Sequence, residues 1–359
     1  MQNWDPNQPF NDLPPLPPRG FTVSEEIAKQ ITASRVALAR VEQALAMLPS
    51  TQIFMTSIPL VESQASSAIE NIVTTNDQLF MHLSDQNSGS SGDQVAQVWA
   101  NRGALKTGFE KVLARPITAK LASELCAILL GHESLFRNRP GTFIGAFGSA
   151  TYTPPQGEAL IRKKLAEWEQ FVNQDSGFDP LVNMALAHYQ FEAIHPFFDG
   201  NGRTGRVLNV LMLVQAGILS TPVLHLSRAI NRRRQAYYDA LLNVTSKGDW
   251  RGWITFMLEI VEQSANEVLQ QILRIATLHS DARELIAGSP IKDAYRGKLA
   301  ELIFERPYFR QRDIAQLFSV SRPTSAGWAE TLVTLGLVTP VLVGREKYYV
   351  NQAMLDVLA

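Results

Sequence analysis

The run His195-Pro196-Phe197-Phe198-Asp199-Gly200-Asn201-Gly202-Arg203-Thr204-Gly205-Arg206 collects, within twelve residues, the groups that phosphate chemistry needs. Glycines let backbone N–H groups turn toward an anion, and a helix N-terminus adds a favourable dipole. Arg203 and Arg206 offer charge-assisted forks that match phosphate oxygens. Asp199 is a hard oxygen ligand, suited to Mg²⁺ already carried by a polyphosphate. His195, at the mouth of the loop, can take a proton near neutral pH. A lone histidine at a helix end, or a lone Gly-rich turn, is ordinarily structural. Base, metal ligand, anion nest and two phosphate forks together point to transfer from a nucleotide.

The run resembles the Fic-family motif, His-Pro-Phe-x-Asp/Glu-Gly-Asn-Gly-Arg-x-x-Arg, at every defined position. The resemblance implies a protein adenylyltransferase that moves AMP from ATP to Ser, Thr or Tyr hydroxyls of a target protein, or of the chain itself. It implies His195 as general base, Asp199 as the Mg²⁺ ligand, and Gly200, Asn201 and Gly202 around the α-phosphate. Arg203 and Arg206 would hold the outer phosphates, with Thr204 and Gly205 completing the ATP-binding loop. Some phosphate-transferring relatives carry Lys where this chain has Gly202, so the glycine favours nucleotide transfer.

Upstream, Ser66-Ser67-Ala68-Ile69-Glu70-Asn71 resembles the family's inhibitory motif, Ser/Thr-x-x-x-Glu-Gly/Asn. Ser66 and Glu70 lie one helical turn apart on one face. A carboxylate there that pairs with Arg206 would occupy the guanidinium that the γ-phosphate needs. The resemblance also assigns a target-binding flap to about Thr142–Thr153, adenine contact to Tyr238, and a homodimer to the assembly. Removal of AMP, or transfer of another nucleotide, stays open at the same site.

These groups need rigid elements to hold them. Leu181–Ile194 is apolar nearly all round, which predicts a buried helix that stops at Pro196; the next helix starts near Arg203. Helical spacing further predicts elements at about 24–47, with Ser24 as N-cap and Pro49 as stop, and at 59–72, the inhibitory helix. Others are expected from 75, then at 94–113, 118–131, 158–173, 227–246 and 249–287, with a loop over Ser84–Asp93. Gly and Pro punctuate the Thr-, Phe- and Tyr-rich segment 137–157, including Gly148, as in a β-hairpin. The proline-rich residues 1–20 read as a surface strap. From about Ile291, helix-turn-helix spacing over 312–318 and 322–335 precedes two strands around Gly344, a winged-helix pattern. The expected class is mainly α: a helical Fic core with a β-hairpin flap, plus a small C-terminal winged-helix domain. The divisions fall at 1–115, 116–287 and 291–359.

Composition narrows the alternatives. Hydrophobic residues make up 45% and charged residues 19%, with a net charge of −1, so no overall basic field favours nucleic acid or membrane. A winged helix invites a DNA-binding regulator, with Arg322, Ser325 and Trp328 on its recognition helix. Nine Lys/Arg against seven Asp/Glu over 291–359 argue against DNA. Val207–Leu226 lacks Asp, Glu, Lys and Arg and could span a bilayer by length. Asn209, Gln215, Gly217, Ser220 and Pro222 interrupt it, so two buried helical pieces are expected instead. The single cysteine, Cys126, reads as a buried hydrophobe. With no signal-peptide pattern at the N-terminus, it supports a cytoplasmic assignment.

Overall fold

A computed structural model describes residues 4–48, 52–84, 93–146, 149–343 and 345–359. The expected stop at Pro49, most of the 84–93 loop, Gly148 and Gly344 lie outside the described residues. The fold is mainly helical with two small antiparallel sheets, as the sequence pattern predicts. The first helices are α1 (Glu25–Ala46), α2 (Gln52–Ile69), α3 (Asn76–Ser84), α4 (Asp93–Val112) and α5 (Ala119–Leu130). Ser24 caps α1 by accepting from the Ile27 N–H. Helix α2 begins at Gln52, not near 59, and carries Pro59 inside it. Proline is at home in a first turn, which is why the sequence suggests a start there. In the fold α2 is well packed, with Ile53, Phe54, Ile58, Leu60 and Val61 all buried, and the Ser63 hydroxyl donates to the Pro59 carbonyl at 2.7 Å.

A short hairpin follows, β1 (Ile144–Ala146) and β2 (Ser149–Tyr152), antiparallel with a register irregularity at Ile144/Gly145. Then come α6 (Glu158–Asn173), α7 (Pro180–Ile194), α8 (Asn201–Gln215), α9 (Leu226–Arg232), α10 (Arg234–Lys247) and α11 (Trp250–Ala287). The single helix expected over 227–246 is broken at Arg233, whose φ of −117° and ψ of 32° leave the helical region. Helices α7 and α8 pack against each other and are buried on nearly all sides, with Leu181, Leu186, Phe191, Leu208 and Leu211 at 1% exposure or less. No helix among the described residues is long and apolar enough to cross a membrane. The strap crosses the α6–α7 surface: Leu13 is fully buried, and the Leu13 and Pro14 carbonyls accept from Lys164 and Gln190.

The last elements are α12 (Asp293–Glu305), β3 (Tyr308–Arg310), α13 (Gln311–Phe318), α14 (Arg322–Thr334), β4 (Thr339–Val343), β5 (Glu346–Val350) and α15 (Gln352–Leu358). The sheet order is β3-β5-β4, antiparallel, with Tyr308 opposite Val350 and Val343 opposite Glu346. Two residues expected on a DNA-facing surface of α14 turn inward. Ser325 is fully buried, and Trp328 packs against Tyr295 and Phe318 with centroids 4.9 and 5.5 Å apart. An indole cannot read a groove from inside a core.

Candidate active site

The loop between α7 and α8 is built from backbone constraints. Helix α7 ends on His195, whose φ of 49° is left-handed and costly for a residue with a Cβ. Pro196 prevents the helix from continuing. Asn201 then closes the loop: its amide accepts from the Phe197 N–H and donates to the Phe197 carbonyl, both at 2.8 Å. Gly200, at φ 79°, lies against Cys126 and Leu130 of α5 and makes the entry into α8. An added Cβ would sit 3.1 Å from the Cys126 sulfur. The first N–H groups of α8 lack acceptors within the helix, an arrangement that favours a nearby anion.

Asp199 stands at the rim, with its side chain 69% exposed. Its Oδ1 accepts the Gly200 N–H at 2.6 Å and lies 3.5 Å from Arg203 Nη2. One exposed carboxylate, with no cluster of three or more acidic, His or Cys residues among those described, is a poor cage for a resident metal. It fits Mg²⁺ that arrives with most of its ligands supplied by phosphate and water.

The two arginines are nearly fully buried, at 4% and 3% side-chain exposure. They meet Glu70 from the end of α2. Arg206 Nη2 donates to Glu70 Oε1 at 2.9 Å, and Arg203 Nε lies 3.0 Å from Oε2. Arg206 also donates from Nε to the Ser66 hydroxyl and from Nη2 to the Ser66 carbonyl, each at 3.0 Å. The helix-face reading thus brings Ser66 and Glu70 together on Arg206, while the Arg203 contact is additional. Its signal was present, since residues three apart on α8 share a face. Gly202 is where these groups converge: an added Cβ would lie 2.8 Å from both Glu70 Oε1 and Arg206 Nη1.

Asn71 turns α2 off in a left-handed conformation at φ 64°, one of the few side chains that adopts it readily. Arg234 Nη1 holds its Oδ1 at 3.0 Å. Two turns before Glu70, the buried Glu62 accepts from the Ser227 N–H and, at 2.5 Å, from its hydroxyl, tying α2 to α9. Burial pushes the Glu62 carboxyl up to about 7 against the opposing Ser227 bonds.

Behind the loop, His195 is partly buried, and its proton affinity falls to about 4 through burial and then the Arg137 guanidinium. The imidazole is therefore neutral at pH 7, and the same burial makes it a weaker base than an exposed histidine. Glu192, one turn earlier, rises to about 7 by burial, and its Oε1 would lie 2.4 Å from a Cβ at Gly205. Gly205 therefore packs α8 onto α7. Thr204, fully buried, also faces inward, as does the Asn201 side chain. These three expected ATP contacts face the interior and shape the loop from behind, and the Thr204 N–H is already bonded to the Gly200 carbonyl at 2.9 Å. Tyr237 is the inner member of the aromatic pair, bonded to His188 Nε2 at 2.8 Å and packed on Trp253 and Phe256. Tyr238 is 40% exposed, edge-on to Tyr237 at 5.3 Å. Sequence reasoning missed Arg137 and Tyr152, both of which reach the His195 turn; nothing local marks either residue.

Three family profiles match the chain: the Fic/DOC family N-terminal region over residues 28–110, the Fic/DOC family over 116–213, and the C-terminal domain of SoFic-like protein adenylyltransferase over 278–354. Protein adenylyltransferase Fic from Drosophila melanogaster is 29% identical and that from Drosophila erecta 30%, each across 48% of this chain. The chain spans about a third of the length of these curated relatives, 35% and 34% respectively. Among solved structures, a Fic family protein from Desulfovibrio desulfuricans G20 has a TM-score of 0.59 at 19% identity, covering 92% of this chain and 97% of that one. Fic-1 from C. elegans has a TM-score of 0.53 at 22% identity, covering 68% and 72%. These likenesses carry the fold, and with the three profiles in chain order the protein belongs to the Fic/DOC family.

Proposed function

We propose that the chain is a protein adenylyltransferase held in check by its own α2. The observation that carries this reading is Glu70, which lies across Arg203 and Arg206 at the start of α8, with a neutral His195 at the other end of the same loop. In the released state the β- and γ-phosphates of ATP·Mg²⁺ take the two guanidinium groups. Asp199 would hold Mg²⁺ carried in by the nucleotide, and the metal would offset phosphate charge. The α-phosphate lies over the N–H groups of Gly200–Arg203, and adenine rests near Tyr238.

A Ser, Thr or Tyr hydroxyl of the target gives its proton to His195 while its oxygen attacks the α-phosphorus. The bond from that phosphorus to the α,β-bridging oxygen breaks, and pyrophosphate leaves. The β1–β2 flap orders the target segment beside the site by strand-edge pairing. With Glu70 on both arginines, the phosphates cannot reach this alignment. The name shared by the curated relatives, protein adenylyltransferase, supports the same chemistry. Helices α13 and α14 with the three-stranded sheet support a winged-helix reading of the tail, used for docking protein. A homodimer and a cytoplasmic setting belong to the same proposal.

The experiment compares ATP labelled at the α- or the γ-phosphate, with the Glu70→Gly protein and a mixed protein extract. Label from the α-position alone on protein establishes AMP transfer. Label from the γ-position would make the chain a phosphotransferase and sink the proposal.

A further inference from the structure

Four successive carbonyls, from Ala193 to Pro196, form the turn that carries His195. Helix ends leave such carbonyls without intrahelical donors. Here all four are taken by two residues, Arg137 ahead of the flap and Tyr152 at the end of its second strand. Tyr152 Oη donates to Ala193 O at 2.8 Å. Arg137 donates from Nη2 to Ile194 O at 3.1 Å, from Nε to His195 O at 2.5 Å, and from its backbone N–H to Pro196 O at 2.8 Å. The same Nη2 reaches Pro155 O at 2.9 Å, on the far leg of the hairpin.

Arg137 is 1% exposed, and all its bonds go to backbone carbonyls. A buried guanidinium without a carboxylate partner is costly. An ordinary helix cap would need only one or two donors at the surface. What this group does beyond capping is join three strands of chain: the leg before β1, the leg after β2, and the turn under the base. Tyr152, on β2, adds a fourth point of attachment and is itself buried.

We propose that Arg137 and Tyr152 are positioning residues for His195, bracing its strained turn against both legs of the flap. This rests on the adenylyltransferase reading for its catalytic consequence, though the brace itself is a property of the resting protein. A target segment laid along the flap is then held by the same frame that aims the imidazole, so the attacking oxygen and its base share one reference. Neither residue touches the Glu70–arginine cluster, which lies on α8 and α2.

The test uses Tyr152→Phe, which keeps ring and volume, and Arg137→Lys, both in the Glu70→Gly background. In each variant and the Glu70→Gly parent, without ATP, the rate at which diethylpyrocarbonate acylates His195 is followed by peptide mass spectrometry. The brace predicts a several-fold change in that rate in each variant; an unchanged rate in both overturns it, whether or not the protein transfers AMP. In turnover, kcat is expected to fall about tenfold or more, while the Kd for ATP·Mg²⁺ stays within about twofold of the parent. A parallel loss of kcat and ATP affinity would make both residues general supports of the loop and refute the positioning role. Absence of transfer by the Glu70→Gly parent would count against the functional reading, while the acylation rates still decide the brace.

Discussion

Replacing Glu70 by glycine removes the carboxylate that bridges Arg203 and Arg206, and its consequences can be worked from the contacts. One well-formed charge-assisted bond, Arg206 Nη2 to Glu70 Oε1 at 2.9 Å, must break before a γ-phosphate can take its place. Such bonds contribute about 1.5–3 kcal/mol. The Arg203 contact at 3.0 Å is an ion pair whose gain is partly offset by exposure of Glu70, at 26%. Removing the competitor should therefore tighten ATP·Mg²⁺ binding about ten- to a hundredfold. Without ATP the same substitution leaves two nearly buried guanidinium groups without this carboxylate, so resting stability should fall by about 1–3 kcal/mol. The two effects have opposite signs, which makes the prediction sharp. Calorimetry should show tighter ATP binding, and thermal melts should show a lower Tm without ATP and a larger upward shift with it. Unchanged ATP affinity in Glu70→Gly, with the fold intact, would refute the idea that the carboxylate competes with phosphate.

Three other outcomes are expected. Asp199→Ala should leave Tm within about a degree, since the side chain is 69% exposed, yet weaken the Mg²⁺ dependence of nucleotide binding; equal Mg²⁺ titrations would remove the metal role. Gly205→Ala should cost about 1–3 kcal/mol in urea melts, because its Cβ would meet the Glu192 carboxyl at 2.4 Å between two buried helices; a neutral result would mean that the α7–α8 contact yields freely. Glu62 has a carboxyl raised from 4.5 to about 7 in the fold, so its protonated form stabilises below pH 4.5 and that contribution is lost as pH rises through 7. Glu62→Gln should thus gain about 2–3 kcal/mol relative to the parent between pH 5 and pH 8, and a pH-independent difference would contradict the burial argument.

The site was legible in the sequence where its parts are close along the chain. His195 to Arg206 form one turn and one helix start, and Asp199 and the glycines can be placed by local backbone logic alone. The pairing of Ser66 and Glu70 with Arg206 spans 136 residues in the case of Glu70; helix spacing supplied the face, and family resemblance supplied the partner. What could not be read is where side chains from other elements fill the loop from behind. Arg137 sits in a segment of mixed composition, and only the packing of the hairpin against α7 brings its guanidinium onto the His195 carbonyl. Asn201 and Thr204 looked like phosphate contacts because of their neighbours, but the short loop turns both side chains inward. Among the elements, Pro59 imitated a helix start, and the break at Arg233 has no glycine or proline to announce it. The order of helices and paired strands in the tail was visible, whereas the inward turn of Ser325 and Trp328 follows from packing that the helical period alone does not fix.

The central claim is that one histidine transfers AMP and one glutamate prevents it. The most direct measurement incubates the parent, Glu70→Gly and Glu70→Gly/His195→Ala proteins with α-labelled ATP and Mg²⁺, and follows label on the chain and on added protein. Strong labelling is expected of Glu70→Gly, weak labelling of the parent, and none once His195 is replaced, with all three proteins folded. Equal labelling with and without His195, or none by the folded Glu70→Gly protein across a broad set of target proteins, would contradict it.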